Sequence, residues 1–449
     1  MAKKKQIELS IEEKLQNALV PKEEQPYKIP SNWCWVRLGN ITQIKGGKRI
    51  PKGTSLLKEN TGYKYIRVTD MKNGTVLNDD IHYISKDIYN KISNYTISKN
   101  DIYITCAGTI GRVGIIPVEF DGANLTENAD KIIIKYINKN LLVKVLSSYI
   151  VQKQIQEVIT TGCQPKLAIK KIEQLKIPLP PINEQQRIVE RIESLFAKLD
   201  RAKELIENTL AQFEQNKMAI LHKAFTGELT AKWRKENNIN EKNFFNKVKL
   251  KNVIKLISGR DVSVSLCNDK SIGIPYILGA SNIKDNKFFI ERWIENPVVV
   301  SEKNDILLSV KGTIGKLYLQ KEEKINISRQ IMALRALNDL NTHYLYYFLL
   351  RECERLKFEG NGLIPGISRK DILDLNILLP TLEEQQEIVN ILDKLLAKYN
   401  KIKNLEQQLE KIELLKKAIL AKAFRGELGT NNPDEESAEN LLKEILAEK

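Results

Sequence analysis

The chain repeats itself along nearly its whole length, at a spacing of about 200 residues, so any fold must hold two copies of one unit. Residues 180–189 read PPINEQQRIV and residues 380–389 read PTLEEQQEIV. Upstream, Gly162, Pro165 and Ile172 match Gly362, Pro365 and Ile372 in the same register. Downstream, KAFTGEL (223–229) returns as KAFRGEL (422–428). Earlier in each copy, NDIYITCAGTIGRVG (100–114) matches NDILLSVKGTIGKLY (304–318), and Leu38-Gly-Asn-Ile matches Leu250-Lys-Asn-Val. The offset drifts from 212 at the front to 199 at the back, which places the insertions in the front part of each copy.

That front part and the rear part have different textures. Residues 27–180 and 243–379 are rich in Ile, Val, Tyr and Thr, with Gly, Asn and Asp breaks every eight to twelve residues, the pattern of strand-rich globules. Expected strands include 64–68, 101–105, 131–136 and 305–310. Residues 183–224 read as one helix, entered through Pro180-Pro181 and left at Gly227. Ile188, Ile192, Leu195, Leu199, Ala202, Ile206, Thr209 and Phe213 alternate at spacings of four and three, which is a coiled-coil seam. The second copy, 383–423, repeats it with Ile388, Leu395, Ile402, Leu405, Leu409, Ile412 and Ile419. A helix with one apolar stripe needs a partner, and the other copy is at hand. A helix of this length reaches roughly 63 Å at 1.5 Å per residue.

The fold class is therefore α+β: two strand-rich globules separated by two long antiparallel coiled-coil helices, in a pseudo-twofold repeat. The segments are an N-terminal helical extension (1–26), a first globule (27–180), a first helix (181–235), a second globule (243–379), a second helix (380–428) and a tail with a short helix (429–449). Ser10-Ile-Glu-Glu-Lys-Leu near the start resembles Ser437-Ala-Glu-Asn-Leu-Leu near the end, so both are expected to be short helices closing the ring.

Charge divides along the same lines. The formal net charge is +15. Residues 27–180 hold 23 Lys and Arg against 12 Asp and Glu, a net +11, and residues 243–379 hold 21 against 15, a net +6. All remaining residues together come to −2. Two basic globules on neutral helices point to a polyanion as partner of the globules. No run of apolar residues is long enough to span a bilayer, and the basic N-terminus MAKKKQIELS has no apolar stretch behind it, so a cytoplasmic protein is expected. The five cysteines are scattered and the three histidines are isolated, which argues against a structural metal.

Catalytic signatures are missing. Gly312-Thr-Ile-Gly-Lys316 suggests a phosphate loop, but the positions where that loop needs Gly and a hydroxyl hold Val310 and Leu317. Because the turn recurs as Gly108-Thr-Ile-Gly-Arg112, a structural hairpin is expected at both places. No NPPY-like stretch exists to grip a flipped adenine. Pro433-Asp434 has no E-x-K after it to build a nuclease metal site, and no GxSxG occurs.

Taken together, PLPPINEQQRIVERIESLFAKLD (178–200), ILLPTLEEQQEIVNILDKLLAKY (377–399), the KAF-x-GEL helix ends and the GTIG turns resemble the specificity subunit of type I restriction–modification systems. The resemblance implies that each globule is a target recognition domain reading one half of an asymmetric bipartite DNA site. It implies that the helices act as spacer and as docking surface for two modification subunits. Catalysis would then lie elsewhere: S-adenosylmethionine and adenine methylation on the modification subunits, ATP and Mg on restriction subunits, and no cofactor or metal on this chain. A coiled-coil scaffold with basic nucleic-acid-binding domains is the alternative.

Base reading and phosphate clamping call for Lys, Arg, Asn and Gln on loops. The candidates in the first globule are Lys45, Lys48, Arg49, Arg67, Lys72, Asn73, Arg112, Gln164 and Lys166; those in the second are Arg260, Asn282, Lys284, Lys311, Lys316 and Arg329. The triplets Glu184-Gln185-Gln186 and Glu384-Gln385-Gln386 sit in first helical turns, where they either complement the helix dipole on a solvated face or dock a partner subunit.

Overall fold

The structure is a computed structural model that describes residues 10–159, 165–239, 246–284, 287–359, 366–400 and 403–448. The chain divides into two compact units, and the division falls in the middle of helices rather than between globule and helix. The first unit comprises Met1–Glu204 and Gln408–Lys449; the second is Leu205–Gln407.

Within the first unit, a central antiparallel sheet carries Gln43–Gly46, Ala129–Ile133, Ile102–Thr105 and Val113–Ile115 in that order. Its strand Ile102–Thr105 is buried on both sides, with Ile102 and Ile104 facing one core and Tyr103 facing another. A strand covered on both faces loses the polar alternation of a solvated sheet, which is why it reads as an apolar run. On one face lie the helices Lys139–Leu146, Tyr149–Val158 and Ile169–Glu173, together with the start of the long helix. On the other lies a second four-stranded sheet, His82–Tyr83, Lys64–Ile66, Ala123–Leu125 and Thr96–Ile97, whose central pair is parallel.

The second unit builds the same frame. Its central sheet is Ile254–Ser258, Ile331–Ala336, Ile306–Ser309 and Leu317–Leu319. Ile306 and Leu308 face the helical core, and Leu307 faces the second sheet. That second sheet has five strands and again a parallel pair, Ile274–Ile277 with Lys324–Ile327. The two units differ where the offset drifts. In the first, helix Lys86–Ile92 follows His82–Tyr83 and packs Ile84, Ile88 and Ile92 against Tyr65. In the second, Trp293–Ile294 passes to Val300–Glu302 through 295–299 without a helix.

Each globule is closed by a two-stranded ribbon, Cys34–Arg37 with Lys176–Leu179 and Lys247–Lys249 with Asn376–Leu378. The second ribbon strand feeds straight into a helix through Pro180-Pro181 or Pro380. The first long helix is Ile182–Ala224, and its C-terminus is turned by Gly227 at φ 81°. Residues in the left-handed region favour glycine, the usual helix stop. In the second copy, Leu382–Asn400 and Lys403–Ala423 are helical, and Ile402 lies outside the described residues. Along the first seam Ile188 and Ile192 are buried, and Leu195, Leu199, Ala202, Ile206, Thr209 and Phe213 are half-buried. Within the first unit, Lys416 bonds Asp200 at 2.5 Å and Lys203 meets Glu413 at 3.6 Å. Numbers rise along one helix as they fall along the other, so these segments are antiparallel.

The chain ends meet inside the first unit, as the expected short helices. Ile11–Ala18 is opened by a capping box of Ser10 and Glu13, and Ala438–Ala447 is capped by Ser437. Leu15 and Ala18 share a core with Leu441, Leu442 and Ile445.

One core position carries a charge at a cost. Asp130 is buried on strand Ala129–Ile133, opposite Gly46 and Ile104. Burial pushes its carboxyl from 3.8 up to about 6, against the opposing pull of Lys166 and Cys106. Between those two values the folded chain holds more protons than the unfolded one, so stability falls as pH rises through that window and stays reduced above it. The corresponding place in the second unit is Met332, opposite Ser258 and Leu308. Asp130→Asn is therefore expected to raise stability at pH 7 by about 1–2 kcal/mol, less than the full shift because lysine and solvent screen it. Urea unfolding at pH 7 and again near pH 4 checks this; the gain should vanish at the lower pH.

Candidate DNA interface

The GTIG turns form hairpin ends. In the first unit Gly111 N donates to Thr105 O at 2.9 Å and Arg112 N to Thr105 Oγ1 at 2.9 Å. In the second, Gly315 N donates to Ser309 O at 2.9 Å and Lys316 N to Ser309 Oγ at 2.8 Å. Glycines 108, 111, 312 and 315 all lie at positive φ. The last two backbone amides of each turn are spent inside the hairpin, and its side chain at the exit is an exposed Arg112 or Lys316.

Two open clefts on the first globule gather candidates that are far apart in sequence. One, of about 450 Å³, is lined by Arg49, Arg67, Thr69, Thr126, Glu127 and Asn128, among others. The other, of about 550 Å³, brings Lys72, Asn73 and Arg112 together with Gln152 and Ser147. Asn73-Gly74 is the tip of the hairpin Met71–Lys72 with Thr75–Val76, both tip residues at positive φ (53° and 73°). That is the backbone of the favoured two-residue hairpin turn. Arg112 Nη1 donates to Met71 O at 3.3 Å, tying the two loops together. Ile283–Lys284 with Lys287–Phe288 is the matching hairpin of the second unit, and Lys284 stands over Phe289 at 5.9 Å.

The sequence candidates separate by what holds them. Lys45, Lys48, Lys72, Arg112, Arg260, Lys284, Lys311 and Lys316 are exposed and make no ion pair among the described residues. Lys166 is exposed beside the bridge to Ala107 and Asp130. Arg49 pairs with Glu127, and Arg329 with Asp261. Gln164 lies outside the described residues.

Arg67 is held inside its own domain. Its Nη2 reaches Asp70 Oδ1 at 2.7 Å and Asp80 Oδ2 at 3.0 Å, and the side chain is 23% exposed. Lys58 and Arg67 together hold Asp80 down at about 2. Arg67 clamps the loop from 67 to 82 from its place on the cleft wall.

Asn282 is a correction: it is buried, not a base reader. Its Oδ1 accepts from Leu278 N (3.0 Å) and Gly279 N (3.3 Å), and its Nδ2 donates to Phe289 O (3.0 Å). Both ends of the amide are engaged on the turn and the side chain is buried, so it presents no surface to a base edge.

The Glu-Gln-Gln triplets are a second correction, since four of the six side chains are neither docking groups nor a solvated face. Glu184, Gln185, Glu384 and Gln385 are buried. Gln185 Oε1 accepts from Asn138 N (2.8 Å) and its Nε2 donates to Pro180 O (3.2 Å); Gln385 does the same with Asn341 N (2.7 Å) and Pro380 O (2.9 Å). Each glutamine fastens its long helix to the cap of a globule helix, Lys139–Leu146 or Thr342–Glu359. Glu184 accepts from Trp33 Nε1 (2.7 Å), Thr430 Oγ1 (2.9 Å) and Asn431 Nδ2 (2.9 Å). Glu384 accepts from Thr230 Oγ1 and from Arg234 Nη1 (2.7 Å). Burial raises the Glu384 carboxyl, and the Thr230 and Arg234 hydrogen bonds oppose it. Only Gln186 and Gln386 are exposed; each still accepts from an asparagine, Asn138 Nδ2 at 2.8 Å or Asn341 Nδ2 at 3.0 Å. The repeat spacing could have found Asn138 and Asn341, which lie at matching places in the two copies. Glu127, Asn128 and Gln152 carry no such signal.

Among the described residues no cluster of His, Cys, Asp or Glu suits a metal ion, and no helix is long and apolar enough to cross a membrane.

A duplicated frame that presents different polar loops defines a class of tandem-domain proteins, one architecture used twice in a chain. The chain belongs to the family of the type I restriction modification DNA specificity domain, whose family model matches twice, at residues 30–212 and 243–414. It is 25% identical over 460 residues to the EcoKI specificity subunit of Escherichia coli (strain K12), covering 94% of this chain and 96% of that one. It is 34% identical over 213 residues to the EcoBI specificity subunit of Escherichia coli, covering 46% of this chain and 44% of that one. In fold it is similar to a chain solved in work on complex assembly and conformational transition of the type I R-M system (TM-score 0.71, 21% identity, 90% of this chain and 100% of that chain). It is also similar to the HsdS subunit from Thermoanaerobacter tengcongensis (TM-score 0.57, 24% identity, 90% and 99% coverage).

Proposed function

We propose that this chain is the specificity subunit of a type I restriction–modification complex and reads an asymmetric bipartite duplex, one half-site per globule. The observation that carries this reading is the pairing of a repeated central frame with unlike loops. Lys48 and Arg260 occupy matching turns, and so do Arg112 and Lys316, while neighbours such as Glu127 and Arg329 differ. Shared cations suit phosphates, which carry no sequence, and differing side chains suit base edges.

The reading is non-catalytic: methylation, with its S-adenosylmethionine, belongs to two modification subunits, and ATP and Mg belong to restriction subunits. Docking of the modification subunits is assigned to the exposed sides of the helices, where Gln186, Gln386, Leu414 and Leu415 remain available. The absence of a membrane-spanning helix among the described residues fits a place in the cytoplasm. A coiled-coil scaffold has no observation in its favour.

Replacing residues 27–180 with the corresponding domain of another family member tests the reading. Duplexes retained from a random pool by the chain with its modification subunits should change in one half-site and keep the other. A change in both halves, or in neither, contradicts it.

A further inference from the structure

The two units place an ion pair at the same point of the frame with the charges exchanged. Each central sheet's first strand leaves at a glycine pressed on the neighbouring backbone. A Cβ on Gly47 would stand 2.0 Å from Thr126 O, and one on Gly259 would stand 2.1 Å from Ser328 O. The next amides, Lys48 N and Arg260 N, donate to Leu125 O (2.8 Å) and Ile327 O (3.0 Å). These bonds fix the register residue by residue: Arg49 corresponds to Asp261, and Glu127 to Arg329. Arg49 pairs with Glu127 in the first unit, and Arg329 Nε with Asp261 Oδ2 at 2.7 Å in the second. The arginine is on the glycine turn in one domain and on the facing turn in the other.

Stability does not account for the exchange. The arginines are 76% and 68% exposed, and exposed pairs contribute close to nothing. Simple attraction to phosphate does not account for it either, because the carboxylate in each pair weakens the local positive field. What survives the exchange is an exposed guanidinium whose Nε is held by an adjacent carboxylate. In the first domain this couple lies in the cleft with Thr69, Thr126 and Asn128. A guanidinium fork matches the O6 and N7 acceptors of guanine, a carboxylate accepts from the N4 amine of cytosine, and the two base edges adjoin in the major groove.

We propose that each couple reads one G·C base pair of its half-site, arginine on guanine and carboxylate on cytosine, and that the exchange of charges reverses the order of the two bases in the frame of the second domain. The proposal rests on the reading of the chain as a DNA specificity subunit.

The test is the double exchange Arg49→Glu with Glu127→Arg in the full chain, together with its modification subunits, selecting duplexes from a random pool. The expected result is one base pair of the first half-site turned from G·C to C·G, with the second half-site and the spacing unchanged. Arg49→Ala alone should relax preference at that base pair by about 5- to 150-fold, the range of one bidentate contact, with unchanged melting. Selection of the original first half-site by the exchanged protein overturns the proposal. So does Arg49→Ala with full preference at every position. If the exchanged protein selects nothing in its first half, the Arg49→Ala result decides in the same two ways. Failure of the unaltered protein to select any sequence would instead remove the DNA-reading function itself.

Discussion

Glu384→Ala is expected to destabilise the second unit by about 3–5 kcal/mol, the cost of breaking one half of a buried ion pair. The Glu384 side chain is 0% exposed and Arg234 is 5% exposed. Arg234 also donates to Thr230 Oγ1 at 3.1 Å and to Gly227 O, so its guanidinium sits across the turn that ends the long helix. Removing the carboxylate leaves that cation with carbonyl and hydroxyl acceptors only, in a place water does not reach. Thermal melting of the variant should show the transition of the second unit moved down by many degrees while that of the first unit stays. Exchanging both partners for apolar residues of similar volume should recover most of the loss, because the desolvation of both charges disappears together. An unmoved transition in Glu384→Ala would mean that the pair contributes nothing. The same change at Glu184 is expected to cost less. Its partners are neutral, and Thr430 and Asn431 are half-exposed and can turn to water, which leaves the buried Trp33 Nε1 as the one orphaned donor, at about 1–3 kcal/mol.

Deletion of residues 429–449 is expected to unfold the first unit and spare the second. The deleted segment carries Thr430 and Asn431, two of the three donors to Glu184, and Glu435, which pairs with Arg187 at 2.7 Å. It also carries Leu441, Leu442, Ile445 and Leu446, all buried in the first core. Four such side chains at roughly 1.5–3 kcal/mol each amount to about 6–12 kcal/mol, which is on the scale of a whole domain's stability. Calorimetry should then show a single remaining transition, and amide exchange should lose protection over strands Ile102–Thr105 and Ala129–Ile133 but not over Ile306–Ser309. Two intact transitions would contradict the assignment of the tail to the first core.

Much of this frame was legible in the sequence because hydrophobic spacing reports burial. The long helix was expected over 183–224 and is Ile182–Ala224; the strand expected at 101–105 is Ile102–Thr105. Doubling sharpened the GTIG turns into hairpins, since a nucleotide loop would not need to recur without its catalytic partners. The candidate site was less legible, for a physical reason. Glu184, Gln185, Glu384 and Gln385 are polar residues at the start of a helix, a pattern that normally faces water. Here the globule folds back on the first turn, and only the three-dimensional approach of Asn138 and Asn341 to the glutamines, and of Trp33, Thr430 and Asn431 or Thr230 and Arg234 to the glutamates, supplies partners. Asn282 misled in the same way: its amide suits a base edge, but it is spent on three backbone groups of its own turn. The exchange of charges between Arg49–Glu127 and Asp261–Arg329 is invisible until the sheets fix the register, because neither arginine aligns with the other.

The first unit takes its closing helix from the last residues of the chain, and synthesis runs in one direction. Residues 205–407 of the second unit are all made before Gln408–Lys449 emerges. At about 5–20 residues per second, the ribosome needs some 12–50 s to pass from Glu204 to Lys449. For that time the strands of the first globule exist with Leu15 and Ala18 uncovered and Trp33 lacking part of its surroundings. The half of the protein that is synthesised first is the half whose core is closed last.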